Sequence, residues 1–303
     1  MERVARLAMG SISGAVLSSL AFFMMGLFFS PFLVVSAALI TLVSLRHGPL
    51  NGLKVAFYAT SIYFFIWVLV FKNSLSGIFF PVLVWLPMLV LSAPLRRGQN
   101  YEMSLILCGI FIFSYACLLR ATVGDIQLFW MDKMQTVLDV LSHQAAFQFS
   151  EEQLKHLSGQ MHIWWLILLQ SCMVATLLLA RFWQAKLYYP GGFGEEFRKI
   201  QLSKSWIAIL VFVVMVIILD RSAGTGFSIF GDLLAILLVF FGLQGLAVIH
   251  HRSKALELST AWLIGLYSFL FLVPQITGLT LGITGIADSM ADFRRLKDSS
   301  SRE

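Results

Sequence analysis

Long apolar runs constrain this chain more than any other feature. Six of them, roughly 55–71, 77–93, 103–121, 161–183, 205–220 and 228–249, approach or reach the length of a membrane crossing. Two further runs, 13–45 and 257–291, are too long for one. A single helix over 13–45 would measure about 50 Å, against a hydrocarbon core of roughly 30 Å. Each long run carries a proline near its middle, Ser30-Pro31 and Pro274-Gln275. Proline cannot donate a backbone hydrogen bond and favours a break, so each run is expected to be a tight hairpin of two short spans.

Composition agrees. The chain has 303 residues, is 58% hydrophobic and only 13% charged, with a mean hydropathy of +0.83. Soluble domains rarely exceed about half apolar. The expected fold class is therefore all-α, a polytopic transmembrane helical bundle of about ten spans, read as one membrane domain over 1–303. The net charge of +6 is not a nucleic-acid signal here. It fits bases flanking the spans on the cytoplasmic side. With ten spans, both termini are cytoplasmic and 17 of the 22 Lys and Arg residues face inward. Lys72, Arg120, Lys133, Lys155 and Arg221 face outward. An eight-span arrangement, with each long run a single tilted helix, moves both termini outside and divides the bases 11 to 11. The positive-inside rule favours ten. The first apolar run is too long for a signal peptide and is expected to remain as an anchor. Cys108, Cys117 and Cys172 all lie in apolar runs and read as packing residues, with no disulfide or zinc spacing.

Two segments outside the spans carry structure of their own. In the external segment 122–160, Ile126, Trp130, Met134, Val137 and Leu141 recur at helical spacing. This predicts an amphipathic helix at the outer interface, either a connector or a lid over an outward-facing cavity. Ser150-Glu151-Glu152-Gln153 is a capping box and starts a second helix. The other segment is the cytoplasmic loop 184–204, whose centre reads YYPGGFGEEFRKIQL. Pro190-Gly191 suits the central positions of a type II turn, where the second residue needs a positive φ. Gly192 and Phe193 follow, and Gly194 is expected to start a short helix. Glu195 and Glu196 then lie in its first turn, favoured by the helix dipole. Arg198 and Lys199 come further on, with Glu195 and Lys199 as an i,i+4 pair. Phe193, Phe197 and Ile200 share one face. The loop lacks the Gly-Lys-Ser/Thr ending of a phosphate-binding loop and does not match GxGxxG. Its paired glutamates also fail the EExxxR pattern of intramembrane proteases, since Ile200 stands where arginine is required. Residues 292–303 form a polar cytoplasmic tail.

The stretch ARFWQAKLYYPGGFGEEFRKIQL (180–202), followed by GIADSMADFRRL (285–296), resembles the YybS-like family of predicted bacterial membrane proteins, whose function is unknown. That family is thought to be distantly similar to the substrate-capturing S-components of energy-coupling-factor vitamin transporters. The resemblance implies a multi-pass protein of the bacterial inner membrane with a transport-related role. It also suggests a small-residue face on the first helix that packs on a membrane partner. Ser11, Ala15 and Ser19 are spaced by four, as are Gly10, Gly14 and Ser18. Such faces serve equally for packing within a bundle, and Gly278 with Gly282 carries the same two readings.

Ionisable and amide groups near membrane depth are the candidate solute-site residues. Asp220 and Arg221 end one span and Asp232 starts the next, with Arg120 and Asp125 at another outer end. They could ring an outward-facing site or act as interfacial anchors. Gln170 and Gln244 lie near mid-span and are expected to bond across helices. His162 with Trp164 and Trp165 reads as an aromatic belt. His250-His251 has no third ligand at metal spacing. No HExxH, no GxSxG and no inward carboxylate pair is present, so neither an enzyme nor a cofactor or metal protein is expected. The expected partners are the lipid bilayer, with a small solute or a membrane protein besides. Two function classes stay open: solute capture, and a non-catalytic scaffold that holds a partner through the loop or the small-residue faces.

Overall fold

Breaks in the apolar runs decide the helix pattern. The computed structural model describes residues 2–71, 75–98, 101–142, 150–223, 229–291 and 293–294, with the side chains of 71, 75–76, 141–142 and 221–223 outside the description. All extended regular structure among these residues is helical. The α-helices are α1 (Glu2–Gly10), α2 (Ile12–Gly26), α3 (Pro31–His47), α4 (Pro49–Phe71), α5 (Phe79–Gly98), α6 (Tyr101–Val123), α7 (Ile126–Ser142), α8 (Glu151–Tyr188), α9 (Gly192–Arg198), α10 (Ser205–Ala223), α11 (Ile229–Ala255), α12 (Thr260–Leu272) and α13 (Pro274–Ala291). Five of them, α4, α5, α6, α8 and α11, are long and apolar enough to cross a membrane. Of the remainder, α2, α3, α10 and α12 are shorter apolar helices.

Neither long run is a single helix. The first breaks between Gly26 and Pro31, and the second at Val273, where φ is −134° and ψ is 64°. Pro31 and Pro274 each take the first helical position after the break, where a missing N–H costs nothing. The same device recurs after α3: Gly48 has φ 99° and Pro49 opens α4. The fate of 150–188 differs from the expected division into an external helix and a span. Ser150 and Gln153 do form the reciprocal capping box, at 2.9 and 3.2 Å. No breaker follows, so α8 runs unbroken for 38 residues, about 57 Å.

The chain forms two compact units; three of their boundaries fall within α6, α8 and α11, and two in the connections after Gln201 and Glu257. The first comprises Met1–Cys108, Ser171–Gln201 and Ile249–Glu257. Its centre is α3, buried continuously from Val35 to Leu45. A helix apolar all round must be enclosed, and α2, α4 and α5 enclose this one. In the antiparallel α2–α3 pair, Phe22 meets Phe32 at 5.7 Å and the Ser36 hydroxyl donates to Ser19 O at 2.7 Å. The Trp85 indole N–H donates back to the Ser36 hydroxyl at 3.1 Å, and Phe23 packs on Trp85 and Tyr63. Ala15, Ser18 and Ser19 are thus consumed inside the unit. Gly10 ends α1 and Ser11 caps α2, so those two residues stand at a helix junction.

The second unit comprises Gly109–Gln170, Leu202–Val248 and Leu258–Glu303. Its tightest contact is between α11 and α13. A Cβ on Gly245 would lie 1.9 Å from Leu281 O, and one on Gly285 would lie 2.0 Å from Phe241 O. The close approach therefore sits at Gly245 and Gly285. A Cβ on Gly278 would meet nothing within 4 Å, and one on Gly282 only ordinary contact. α7 forms at Ile126–Ser142, the amphipathic helix expected from the spacing. Helix α12 buries no residue.

Candidate functional site

Three polar networks stand out, each inside one unit. The first joins the end of α6 and the start of α11 to the first third of α8, all in the second unit. Asp232, in the first turn of α11, is fully buried. Arg120, in the last turn of α6, grips it with a two-pronged pair, Nε to Oδ2 at 2.7 Å and Nη2 to Oδ1 at 2.8 Å. His162 of α8 brings its Nε2 to 3.3 Å from Asp232 Oδ1, but the ring is misaligned and neither nitrogen makes a hydrogen bond. Arginine suits this place because its planar fork matches a carboxylate and its charge persists when desolvated. The sequence reading grouped Asp232 with Asp220 and Arg221. In the structure the guanidinium on Asp232 is that of Arg120. Asp220 lies half-buried at the end of α10, and the Arg221 side chain lies outside the described residues. Beside the trio, Trp165 donates to the Tyr115 hydroxyl at 3.0 Å and packs on Trp130 of α7 at 5.8 Å. Gln170, one turn pair further along α8 and fully buried, donates to Ile236 O at 3.2 Å. His162 reads in sequence as part of an aromatic belt; only the fold shows its carboxylate neighbour.

The second network centres on Gln244. Its carbonyl accepts from the Leu202 backbone N–H at 3.0 Å, and its amide donates to Asp288 Oδ2 at 2.8 Å. Ser289 adds a bond to Gln244 at 3.2 Å, and Arg294 reaches Asp288 at 3.2 Å. Gln244 therefore ties the chain leaving the polar loop to the end of α13. The amide is next to Gly245, and Asp288 follows Gly285 by three residues. The glycines bring the two backbones close enough for short side chains to meet. In sequence Asp288 stands out only as part of GIADSMADFRRL, and the fold gives it its partners. The rest of the tail, 295–303, and residue 292 lie outside the described residues.

The third network is the loop itself, in the first unit. Gly191 has φ 87° and ψ −22°, and Gly192 N–H donates to Tyr189 O at 3.1 Å. That is the expected turn around Pro190-Gly191. The short helix starts at Gly192, two residues before Gly194, because this turn already aligns the backbone. Lys199 terminates it as C-cap, and Glu195 is exposed. Its ion pair is formed by Glu196: Arg181 of α8 binds it at 2.8 and 2.6 Å, and Tyr101 donates to it at 3.1 Å. Arg181 also contacts Gln184. Phe197 is buried, stacked on Phe193 at 5.8 Å and edge-on to His250 at 5.2 Å. Arg198 is half-buried. A cavity of about 410 Å³ opens beside the loop, lined among others by Tyr101, Glu102, Tyr189, Glu195, Lys199 and Gln201.

Among the described residues no group of three His, Cys, Asp or Glu side chains could hold a metal ion. No curated protein and no solved structure matches the chain. A family profile does, over residues 16–289, and by that match the chain belongs to the predicted membrane protein family DUF2232.

Proposed function

We propose that this membrane protein captures a small solute in a transport-related, non-catalytic role, in the manner of the S-components its loop motif suggests. The observation that carries the reading is the Asp232–Arg120–His162 cluster. A carboxylate with no exposed surface is expensive in a membrane protein and is rarely kept without a task. One arginine is enough to neutralise it. A third ionisable side chain, brought to 3.3 Å from the carboxylate of the pair, is more than anchoring requires.

The topology that goes with this reading has ten crossings, α2–α6, α8 and α10–α13, with both termini in the cytoplasm of a bacterial inner membrane. Contacts support its parity. Glu2 meets Lys186 at 3.2 Å, and Arg46 lies over the Tyr188 ring at 4.1 Å. The N-terminus, the end of α3 and the end of α8 are thus neighbours within the first unit, as a shared cytoplasmic side requires. In the second unit the end of α6 and the start of α11 meet at the Asp232 cluster, which the ten-crossing topology assigns to the outer side, where a solute is captured.

A second reading, a scaffold that holds a protein partner, is favoured by one observation: the polar cavity beside the loop, on the side assigned to the cytoplasm. The deciding experiment is purification in native lipid discs, with mass spectrometry of co-purifying small molecules and proteins. Solute capture predicts a small molecule that is lost in Asp232→Asn while the protein still inserts. A stoichiometric protein partner, with no small molecule in either form, would refute it in favour of the scaffold.

A further inference from the structure

We infer that the turn joining α3 to α4 binds the phosphate of an anionic phospholipid in the inner leaflet, through Arg46 and Arg96 with Lys54 and Arg97 beside them. The site lies wholly in the first unit and is independent of solute capture at Asp232. Three elements converge on it. The Ser44 and Ser92 hydroxyls stand 2.8 Å apart and tie the last turns of α3 and α5 together. One turn beyond them come Gly48, with φ 99°, and Arg96. A Cβ on Gly48 would lie 3.5 Å from Arg96 Cζ, 3.5 Å from Nη2 and 3.7 Å from Nη1. Distances so nearly equal put the face of the guanidinium over the turn, not its edge. Arg46, two residues before Gly48, lays its own guanidinium over the Tyr188 ring at the end of α8, with Cζ 4.1 Å from the centroid.

Both guanidinium groups are thus held by their faces, and no carboxylate holds either. Arg46, Lys54, Arg96 and Arg97 are exposed, and among the described residues none of these four side chains forms an ion pair or a hydrogen bond. Glu2, which reaches the same end of α8, is taken by Arg6 and Lys186 at 2.6 and 3.2 Å. Bases at the inner ends of spans are expected of any membrane protein. Two forks fixed in plane by stacking, with their N–H edges unused, go beyond that expectation. Such a fork is preorganised for two-pronged recognition of phosphate or carboxylate oxygens.

The apolar surface beside the turn selects a lipid as the source of the phosphate. Leu50, Leu53 and Phe57 are 73%, 45% and 65% exposed. Their spacing puts them on one face of α4, a face that begins two residues from Gly48. A free phosphate leaves this face unused, whereas a phospholipid lays an acyl chain along it while its headgroup meets the arginines. Lys54 stands on the same face one turn in from Leu50, where a long aliphatic stem lets the ammonium reach headgroup level. Clustered bases at the cytoplasmic surface draw anionic lipid in this way.

The test uses the full chain in mixed micelles, with phosphatidylglycerol and phosphatidylcholine of identical acyl chains as probes and soluble glycerol phosphate as the chain-free control. Lipid binding is read by native mass spectrometry and by the shift in melting temperature. Phosphatidylglycerol is expected to bind about tenfold more tightly than phosphatidylcholine, and Arg46→Gln with Arg96→Gln to erase that preference. Arg96→Gln alone, which leaves the Tyr188 stack in place, should lose several-fold in affinity and keep the melting temperature of the lipid-free protein. Arg96→Lys keeps the charge without the fork and should recover only part of the loss. Lys199→Gln with Lys254→Gln, which removes two exposed bases away from the turn, should change nothing. Equal binding of the two lipids would overturn the inference. So would an equal loss in the Lys199/Lys254 variant, which would mean diffuse attraction with no site. Stabilisation by glycerol phosphate as strong as by the lipid would refute a lipid occupant.

Discussion

Gly245 and Gly285 set the distance between α11 and α13, and a single methyl group tests how much depends on it. In Gly245→Ala the new Cβ would stand 1.9 Å from the Leu281 carbonyl oxygen. Carbon and oxygen need about 3.3 Å even in a close C–H···O contact. The obstacle is backbone, which cannot rotate away, so the helices must part by more than roughly 1 Å. Overpacking of this kind costs about 1–3 kcal/mol. Separation also pulls on the Gln244–Asp288 bond, now 2.8 Å, whose loss adds about 1.5–3 kcal/mol because the acceptor is charged. Alanine returns roughly 1 kcal/mol of helix propensity. The expected net loss is about 2–5 kcal/mol, with Gly285→Ala alike. Gly278→Ala, on the same helix with nothing within 4 Å, should be neutral or slightly stabilising. Reversible unfolding of the three variants in mixed micelles, followed by tryptophan fluorescence, reads the difference. A Gly245→Ala protein within about 0.5 kcal/mol of wild type, or a Gly278→Ala protein equally damaged, would refute the argument.

Other consequences are as direct. Glu196→Ala strips the Arg181 guanidinium of its partner and should cost about 3 kcal/mol or somewhat less, since the pair keeps 13% and 11% exposure. Removing both partners should recover part of the loss in a double-mutant cycle, and additive losses would contradict a coupled pair. Phe197→Ala should cost about 3–5 kcal/mol by emptying the pocket between Phe193 and His250, seen as reduced abundance; full abundance with loss of a co-purifying partner would identify the loop as a docking surface instead. Asp232→Asn removes one charge of the Arg120 pair and should cost about 3 kcal/mol in the same unfolding assay, whereas an anchor at a wet interface would lose under about 1 kcal/mol. Reporter fusions at residues 50, 98, 190, 253 and 300 should report cytoplasm and at 140 the outside, and an external signal at 190 would exclude the ten-crossing topology.

The fold was legible where local chemistry decides it. Proline within an overlong apolar run marks a helix break whatever surrounds it, so both breaks could be read at Ser30-Pro31 and Pro274. The capping box at Ser150 and the positive φ at Gly191 are equally local. The site was legible as residues and not as pairs. Asp232 and Arg120 are conspicuous in an apolar chain, yet they are far apart in sequence. Hydropathy gives no depth or rotation for a helix, so Arg221, adjacent to Asp220 and near Asp232 along the chain, looks the better partner. His162 hid for a related reason, because two flanking tryptophans make a belt reading sufficient. The glycine contact shows the same limit. Gly278 and Gly282 have the familiar spacing, but close approach requires glycine on both helices at one level, and among the described residues the packing of Gly245 against Gly285 supplies that.

The three networks also explain why so few charges serve so large a chain. Each places its polar atoms where a helix begins, ends or is contacted by a turn: Asp232 in a first turn, Arg120 in a last turn, Leu202 just past the α9 turn. Backbone groups at such points lack partners along their own helix, and the same points lie nearest the water on either side. Gln244 answers a backbone N–H there, and Glu196 fixes a turn against α8. Satisfaction is not complete in the second unit: Asp288 Oδ1 is left without a partner beside Gln244, and the Trp130 N–H without an acceptor beside Trp165. What the two buried carboxylates share is an arginine each, Arg120 on Asp232 and Arg294 on Asp288, so charge pairing decides whether an acid can sit at these helix ends before the count of hydrogen bonds does.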